Sequence, residues 1–371
     1  MQIQTIDLLP DAPGARHQVQ VLRFGKTSAG PKACIQAALH ADEVPAMLVA
    51  QQLRLQLTAL EAAGEMTGQV TLVPYANPIG LAQHLLGGTE GRFDLRDGVN
   101  FNRMHPELSD AVATAVGSQL GSDEVANVAL IRGALLAAAA QLTAANTTQD
   151  LKNKLVQLAI DSDVVLDLHC DSQAVMHLYS LTPHAALASE LGALLDAHAI
   201  LLATESGGTP FDESCSRPWL LLQQRFPSCA VPLACFAATV ELRGHADTAH
   251  DTATQDAAAI IEFLRRRGVV SGAHKPLPAL RCEATPLAGS EPVASPTAGI
   301  VVFHNVPGDR VEAGAVIADV VDVETGAVTQ LRCRSSGLLY ARVATRWATP
   351  GKRLAKIAGT ALARSGKLLS A

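Results

Sequence analysis

The chain is poor in aromatic residues, poor in charge, and has no concentrated positive patch. Phe, Trp and Tyr make up 4% of its 371 residues, so its core must be assembled from small and aliphatic side chains. Charged residues are 17% and hydrophobic ones 48%, which excludes wholesale disorder and leaves material for a large core. A net charge of −6 lacks the basic stripe of a nucleic-acid binder. The one run of cations, Arg265-Arg266-Arg267, ends a helical pattern, where it complements the helix dipole. Met1 to Pro10 has no basic segment followed by an apolar run, and no apolar stretch is long and uncharged enough for a membrane span. The seven cysteines contain no CxxC pair. Several lie in apolar runs, which points to reduced, buried thiols and a cytoplasmic location. A G-x-S-x-G elbow and a G-x-G-x-x-G frame are also missing, which disfavours serine-hydrolase and dinucleotide-binding readings.

What is present is alternation. Apolar runs at 19–23, 33–39, 70–74, 163–168, 174–180, 200–203 and 237–242 predict strands. Helical patterns at 44–63, 109–145, 151–160, 185–198 and 248–267 fill the gaps. The expected fold is α/β, a mostly parallel or mixed central sheet with flanking helices, whose ligands bind beyond the strands' carboxyl ends. A break near 268–281 divides the chain into residues 1–280 and a β-rich domain at 281–371. The latter shows short apolar runs punctuated by turns such as Pro307-Gly308-Asp309 and Pro350-Gly351-Lys352.

Four motifs could carry chemistry. His40 and Glu43 stand three residues apart just after a strand, a spacing that lets both reach one divalent ion. Asp167-Leu168-His169 closes an apolar strand, with Asp167 placed to orient His169. Glu241 ends the strand Ala238 to Leu242, where a carboxylate suits proton transfer. The segment Arg92 to Arg103 offers Asn102-Arg103 for holding a carboxylate and two upstream arginines, Arg92 and Arg96, for polarising a carbonyl.

Taken in order, H-x-x-E, D-G-x-N-x-N-R, D-L-H and T-V-E-L resemble the succinylglutamate desuccinylase/aspartoacylase family of the zinc carboxypeptidase-like superfamily. The resemblance spans Ala33 to Gly244 and extends into the C-terminal module. It implies one zinc ion per chain on His40, Glu43 and His169, and Glu241 as general base and acid. Asn102 and Arg103 would bind a substrate carboxylate, and Arg92 fits the carbonyl-polarising position better than Arg96. The implied activity is hydrolysis of a small N-acyl amino acid or similar substrate. Zinc carboxypeptidase, esterase and non-catalytic metabolite-binding readings share the same residues.

The chain departs from the family pattern twice: Arg243 stands where a glycine usually follows the Glu strand, and Met104-His105-Pro106 follows Asn102-Arg103. Glu205 to Trp219 has no family counterpart and is expected to loop over the pocket. The C-terminal module resembles the barrel-sandwich fold of biotinyl and lipoyl carriers. Its hairpin tip, Val323 to Ala327, has no lysine, so a lid or a homo-oligomer contact is expected instead of a carrier.

Overall fold

A computed structural model describes residues 1–25, 30–362 and 364–369. Nine strands form the main sheet. The first four are β1 (Gln2–Asp7), β2 (Gln18–Phe24), β3 (Lys32–Ala37) and β4 (Gln69–Val73). After the small hairpin β5 (His84–Leu85) and β6 (Gly88–Thr89) comes β7 (Val164–Asp171), then a short β8 (Gln173–Ala174). The main sheet is completed by β9 (His177–Leu181), β10 (Ala199–Ala203), β11 (Phe236–Gly244) and β12 (Ala284–Pro286). Its order is β1-β2-β4-β3-β7-β11-β9-β10-β12, with β4, β3, β7 and β11 mutually parallel. These central strands are buried almost throughout, on both faces of the sheet, and are rich in Val, Leu, Ile and Ala.

The helices are α1 (Val44–Ala62), α2 (Pro78–Leu81), α3 (Ser109–Val116), α4 (Glu124–Ala140), α5 (Thr147–Ala159), α6 (Ala185–Leu194), α7 (Phe211–Arg225) and α8 (His250–Arg266). α1 buries Ala46, Val49, Ala50, Leu53 and Leu57, a stripe of helical period. Each of its fully buried leucines contributes about 1.5–3 kcal/mol. The expected helix at 109–145 is broken. Gly117 to Leu120 leave the α-path, and Asp123 restarts it by accepting from the Val125 and Ala126 amides. The cation run Arg265 to Arg267 pairs with Glu262 and Glu190, which leaves no basic patch there.

The C-terminal strands are β13 (Ser290–Ala294), β14 (Gly299–Phe303), β15 (Arg310–Val311), β16 (Val316–Val321), β17 (Val328–Arg332), β18 (Gly337–Arg342), β19 (Trp347–Ala348) and β20 (Arg353–Ala358). They form two small sheets around one core that includes Val301, Ile317, Leu339 and Ile357. The expected boundary at 281 shifts, because β12 still pairs with β10 in the main sheet. The two parts are stitched together behind His169. β8 pairs with β18, the Val175 amide donates to the Tyr340 carbonyl at 3.0 Å, and Lys356 pairs with Asp171.

Candidate metal centre

Each part of the centre comes from the carboxyl end of a parallel strand. After β3, Ala38 takes a left-handed turn (φ 57°) into the loop that carries His40, and Glu43 immediately precedes α1. On β7, alternation puts Asp167 and His169 on one face. His169 is the register partner of Glu241 on β11, and Asp167 that of Gln36 on β3. Register alone therefore sets the Glu241 carboxylate beside His169.

Glu43 lies between the two imidazoles. Its Oε1 is 2.9 Å from His40 Nδ1 and its Oε2 2.7 Å from His169 Nδ1, while the Cys170 amide donates to Oε2 at 3.0 Å. The far nitrogens are also held: His40 Nε2 is 2.9 Å from Asn100 Oδ1, and His169 Nε2 is 2.8 Å from Asp167 Oδ2. The Asn102 amide also donates to Asn100 Oδ1 at 2.8 Å, which marks that atom as oxygen and puts the proton of His40 on Nε2. Burial, and then the nearby Arg92, lower His40 to about 4. A neutral imidazole thus turns its Nδ1 lone pair toward a carboxylate oxygen, two acceptors with no proton of their own between them. In the structure the Arg92 guanidinium, a cation, donates to both atoms of this pair. Burial opposes charge on both Glu43 and His169, yet His169 and His40 hold the Glu43 carboxyl well below its usual value. Asp167 and Glu43 likewise hold His169 well above its own.

Ligand atoms of His40, Glu43 and His169 all lie within 4.8 Å of one another. Two imidazole nitrogens and a carboxylate oxygen, each oriented from behind, fit a divalent metal ion. Glu241 adds a carboxylate whose Oε2 is buried without a hydrogen-bond partner among the described residues. Burial, then the Glu43 charge, push its carboxyl up to about 8. Arg243, two residues on, does not neutralise it, because it pairs with Asp256. Arg243 has φ 67°, the left-handed conformation that glycine adopts without strain.

The two upstream arginines part company. Gly91 packs so closely on the Ala41–Asp42 backbone that a Cβ there would lie 2.1 Å from the Asp42 nitrogen. This approach delivers Arg92, whose Nη1 donates to His40 Nδ1 at 3.0 Å and to Glu43 Oε1 at 3.2 Å. Arg96 goes elsewhere: its Nε donates to Asp94 Oδ1 at 2.9 Å and its Nη2 to Thr148 at 3.0 Å, with Asp11 a further partner. The expectation that Arg96 could reach a carbonyl is not met, because Asp94, buried beside it, claims the guanidinium. Asn102 also differs from expectation. Its Nδ2 donates toward Asp167 at 3.4 Å and its Oδ1 accepts from the Phe211 amide at 2.9 Å, so the amide braces the centre and the start of α7. Arg103 lines the pocket and donates to the Asn102 carbonyl at 2.6 Å.

His40, Glu43, Arg92, Asn102, Arg103, His169 and Glu241 line one cavity of about 260 Å³. Sequence reasoning missed much of its far side. Segment 204–210 is a loop, as expected, but 211–225 is α7, whose Asp212 and Glu213 line the cavity. Leu287, Lys356 and Leu369 enter from beyond residue 280. The Leu368 amide donates to the Ser206 carbonyl at 2.8 Å, which seats the last described residues on the loop. Asn100 lay in plain view within D-G-x-N-x-N-R, whereas Lys356 and Asp212 carried no motif.

Among the described residues no helix is long and apolar enough to cross a membrane, and all seven cysteines are free. Residues 29–267 match the model of the succinylglutamate desuccinylase/aspartoacylase catalytic domain. A comparison with curated proteins gives no match. Among solved structures, a succinylglutamate desuccinylase/aspartoacylase family protein from Shewanella amazonensis is 26% identical, with TM-score 0.84 over 96% of this chain and 98% of that one. A Shewanella frigidimarina protein carrying the same family name is 25% identical, with TM-score 0.85 over 96% and 97%. The ectoine utilization protein EutE (DoeB) of Ruegeria pomeroyi shares the fold at 16% identity, with TM-score 0.65 over 96% and 95%. With the family match covering more than half of its length, the chain belongs to the succinylglutamate desuccinylase/aspartoacylase family.

Proposed function

We propose that the chain is a zinc-dependent amidohydrolase that removes an acyl group from a small, carboxylate-bearing substrate, such as an N-acyl amino acid. The observation that carries this is the convergence of His40, Glu43 and His169 with an unpartnered Glu241 beside them. One zinc ion held by the three ligands would supply Lewis acidity at a carbonyl oxygen and make water acidic enough to lose a proton near neutral pH.

The chain's own residues do the rest. Glu241 takes a proton from the attacking water and returns it to the leaving nitrogen, its Oε2 having no hydrogen-bond partner among the described residues to compete for that proton. Arg92 balances charge as it develops on the carbonyl oxygen. Arg103, with Asn102 beside it in the cavity lining, orients the substrate by its carboxylate. Asp167 and Asn100 keep the ligand imidazoles turned inward. An ester would be cleaved by the same groups. The modest volume of the cavity, which Leu287, Lys356 and Leu369 help to line, favours small substrates over peptides. Free, buried cysteines favour a cytoplasmic setting.

Metal analysis of the purified protein, coupled to a screen of N-acyl amino acids read by amine release, tests this. The expected result is one zinc per chain and release abolished by a chelator. Metal-free protein that neither binds added zinc nor releases amine would end the reading.

A further inference from the structure

Behind the candidate metal centre, helix α5 grips the turn that delivers Asn100. Thr148 and Lys152 stand four residues apart on α5, about one helical turn, and so share a face. Thr148 Oγ1 donates to Asp94 Oδ2, and Lys152 Nζ donates to the Asn100 carbonyl at 3.0 Å. Between these two points the chain reverses. The Asp94 amide donates to the Val99 carbonyl at 2.9 Å, and Gly98 takes φ 75°. One helix face therefore holds both legs of the turn.

Stability gives no reason for the lysine. It is 4% exposed, and no carboxylate pairs with it among the described residues. Burial pushes its ammonium down to about 8, against the pull of Asp97 and Asp94. An ammonium buried with so little compensation is costly. Nor does the Asn100 carbonyl depend on it, because the Arg103 amide already donates there at 3.2 Å.

The centre, by contrast, needs a fixed Asn100. Its side chain is tied on one side alone. Oδ1 accepts from the Asn102 amide at 2.8 Å and lies 2.9 Å from His40 Nε2, while Nδ2 is buried without a partner among the described residues. Movement of the main chain at Asn100 would carry Oδ1 away from His40. An imidazole whose Nε2 loses its acceptor is free to shift its proton to Nδ1, the nitrogen turned toward Glu43.

We propose that Lys152 is a positioning residue of the metal centre: by pinning the Asn100 main chain it keeps Asn100 Oδ1 on His40 Nε2, and so leaves the His40 Nδ1 lone pair available to a metal ion. This role rests on the amidohydrolase reading only through its zinc ion.

The test measures zinc affinity by chelator competition, and Tm without metal, on the full chain carrying Lys152→Met, Lys152→Leu, Asn100→Ala, or Lys152→Met with Asn100→Ala. Each Lys152 variant is expected to bind zinc about 10–100-fold more weakly than the unchanged chain. Its metal-free Tm should equal or exceed the original, because an apolar side chain replaces a buried charge. Asn100→Ala should weaken zinc to a similar degree, and adding Lys152→Met to it should change little more, since both act through one side chain. Unchanged affinity in the Lys152 variants, or losses that add in the double variant, would overturn the role. So would a fall in Tm or loss of the fold in both Lys152 variants, which would make the lysine structural. If zinc binds and depends on Lys152 but no acyl compound is cleaved, the hydrolase reading falls and this role stands. An unchanged chain with no affinity for zinc ends both.

Discussion

The two walls of the cavity obey different rules. Around the candidate metal centre, both nitrogens of His40 and of His169 and both oxygens of Glu43 have partners, while Asn100 Nδ2 and Glu241 Oε2 are buried without one among the described residues. At the start of α7, Asp212 Oδ1 and Glu213 Oε2 are buried without a hydrogen-bond partner among the described residues. The difference separates two kinds of preparation. A ligand cage for a small ion must be rigid before the ion arrives, so its geometry is held by neighbours. A carboxylate buried with an unpaired oxygen costs stability for as long as it stays unpaired.

Substitutions on each wall should sharpen or break that contrast. The largest effect is expected from Glu241→Gln, which should retain zinc by metal analysis while lowering kcat by about 10²–10⁴-fold. Near-normal turnover would remove Glu241 from proton transfer. Asp167→Asn loosens the bracing of His169 and should weaken zinc binding by about 10–100-fold in a chelator competition. Unchanged affinity would mean that the cage does not depend on its outer layer.

On the opposite wall the sign reverses. The Asp212 carboxyl is raised to about 7 in the fold, so the folded state holds its proton more tightly than the unfolded chain does. Ionised Asp212 thus costs stability that grows from about pH 4 to about pH 7 and stays level above. Asp212→Asn should therefore stabilise the metal-free protein by about 1–3 kcal/mol at pH 8, seen as a Tm rise of a few degrees, with no gain at pH 4. A Tm gain equal at both pH values would show that packing, not charge, sets the cost. The smallest effect belongs to Arg96→Ala, which breaks a half-exposed pair with Asp94. About 1 kcal/mol of stability should be lost in chemical denaturation, with kcat and KM unmoved, whereas Arg92→Ala should lower kcat. Equal kinetic losses for the two would return Arg96 to the site.

The C-terminal module makes a second contrast with the main sheet. Its strands follow from turn spacing, but nothing in its composition announces Lys356, which reaches the cavity only because β20 lies against β18 and β18 against β8. Helix α7 escaped notice for a local reason. Pro218 and the polar run Asp212 to Arg217 read as a loop, since proline in a helix interior removes a hydrogen bond. Tertiary burial of Phe211, Cys215, Trp219 and Leu222 overrides that penalty. β1 was missed as well, being an exposed edge strand without an apolar run.

By itself the sequence determined the strand–helix alternation and pointed to the cluster of His40, Glu43 and His169 that could hold a metal ion, and to Glu241 beside it. Each of these is local: a residue at the end of a strand or three positions from its partner is already placed by the period of its own element. Tertiary structure alone decided which arginine joins the centre, that Asn102 braces the framework, and which carboxylates line the cavity. Those outcomes depend on close approaches between segments far apart in the chain, such as Gly91 on Ala41 and the Phe211 amide on Asn102, and packing, not periodicity, sets them.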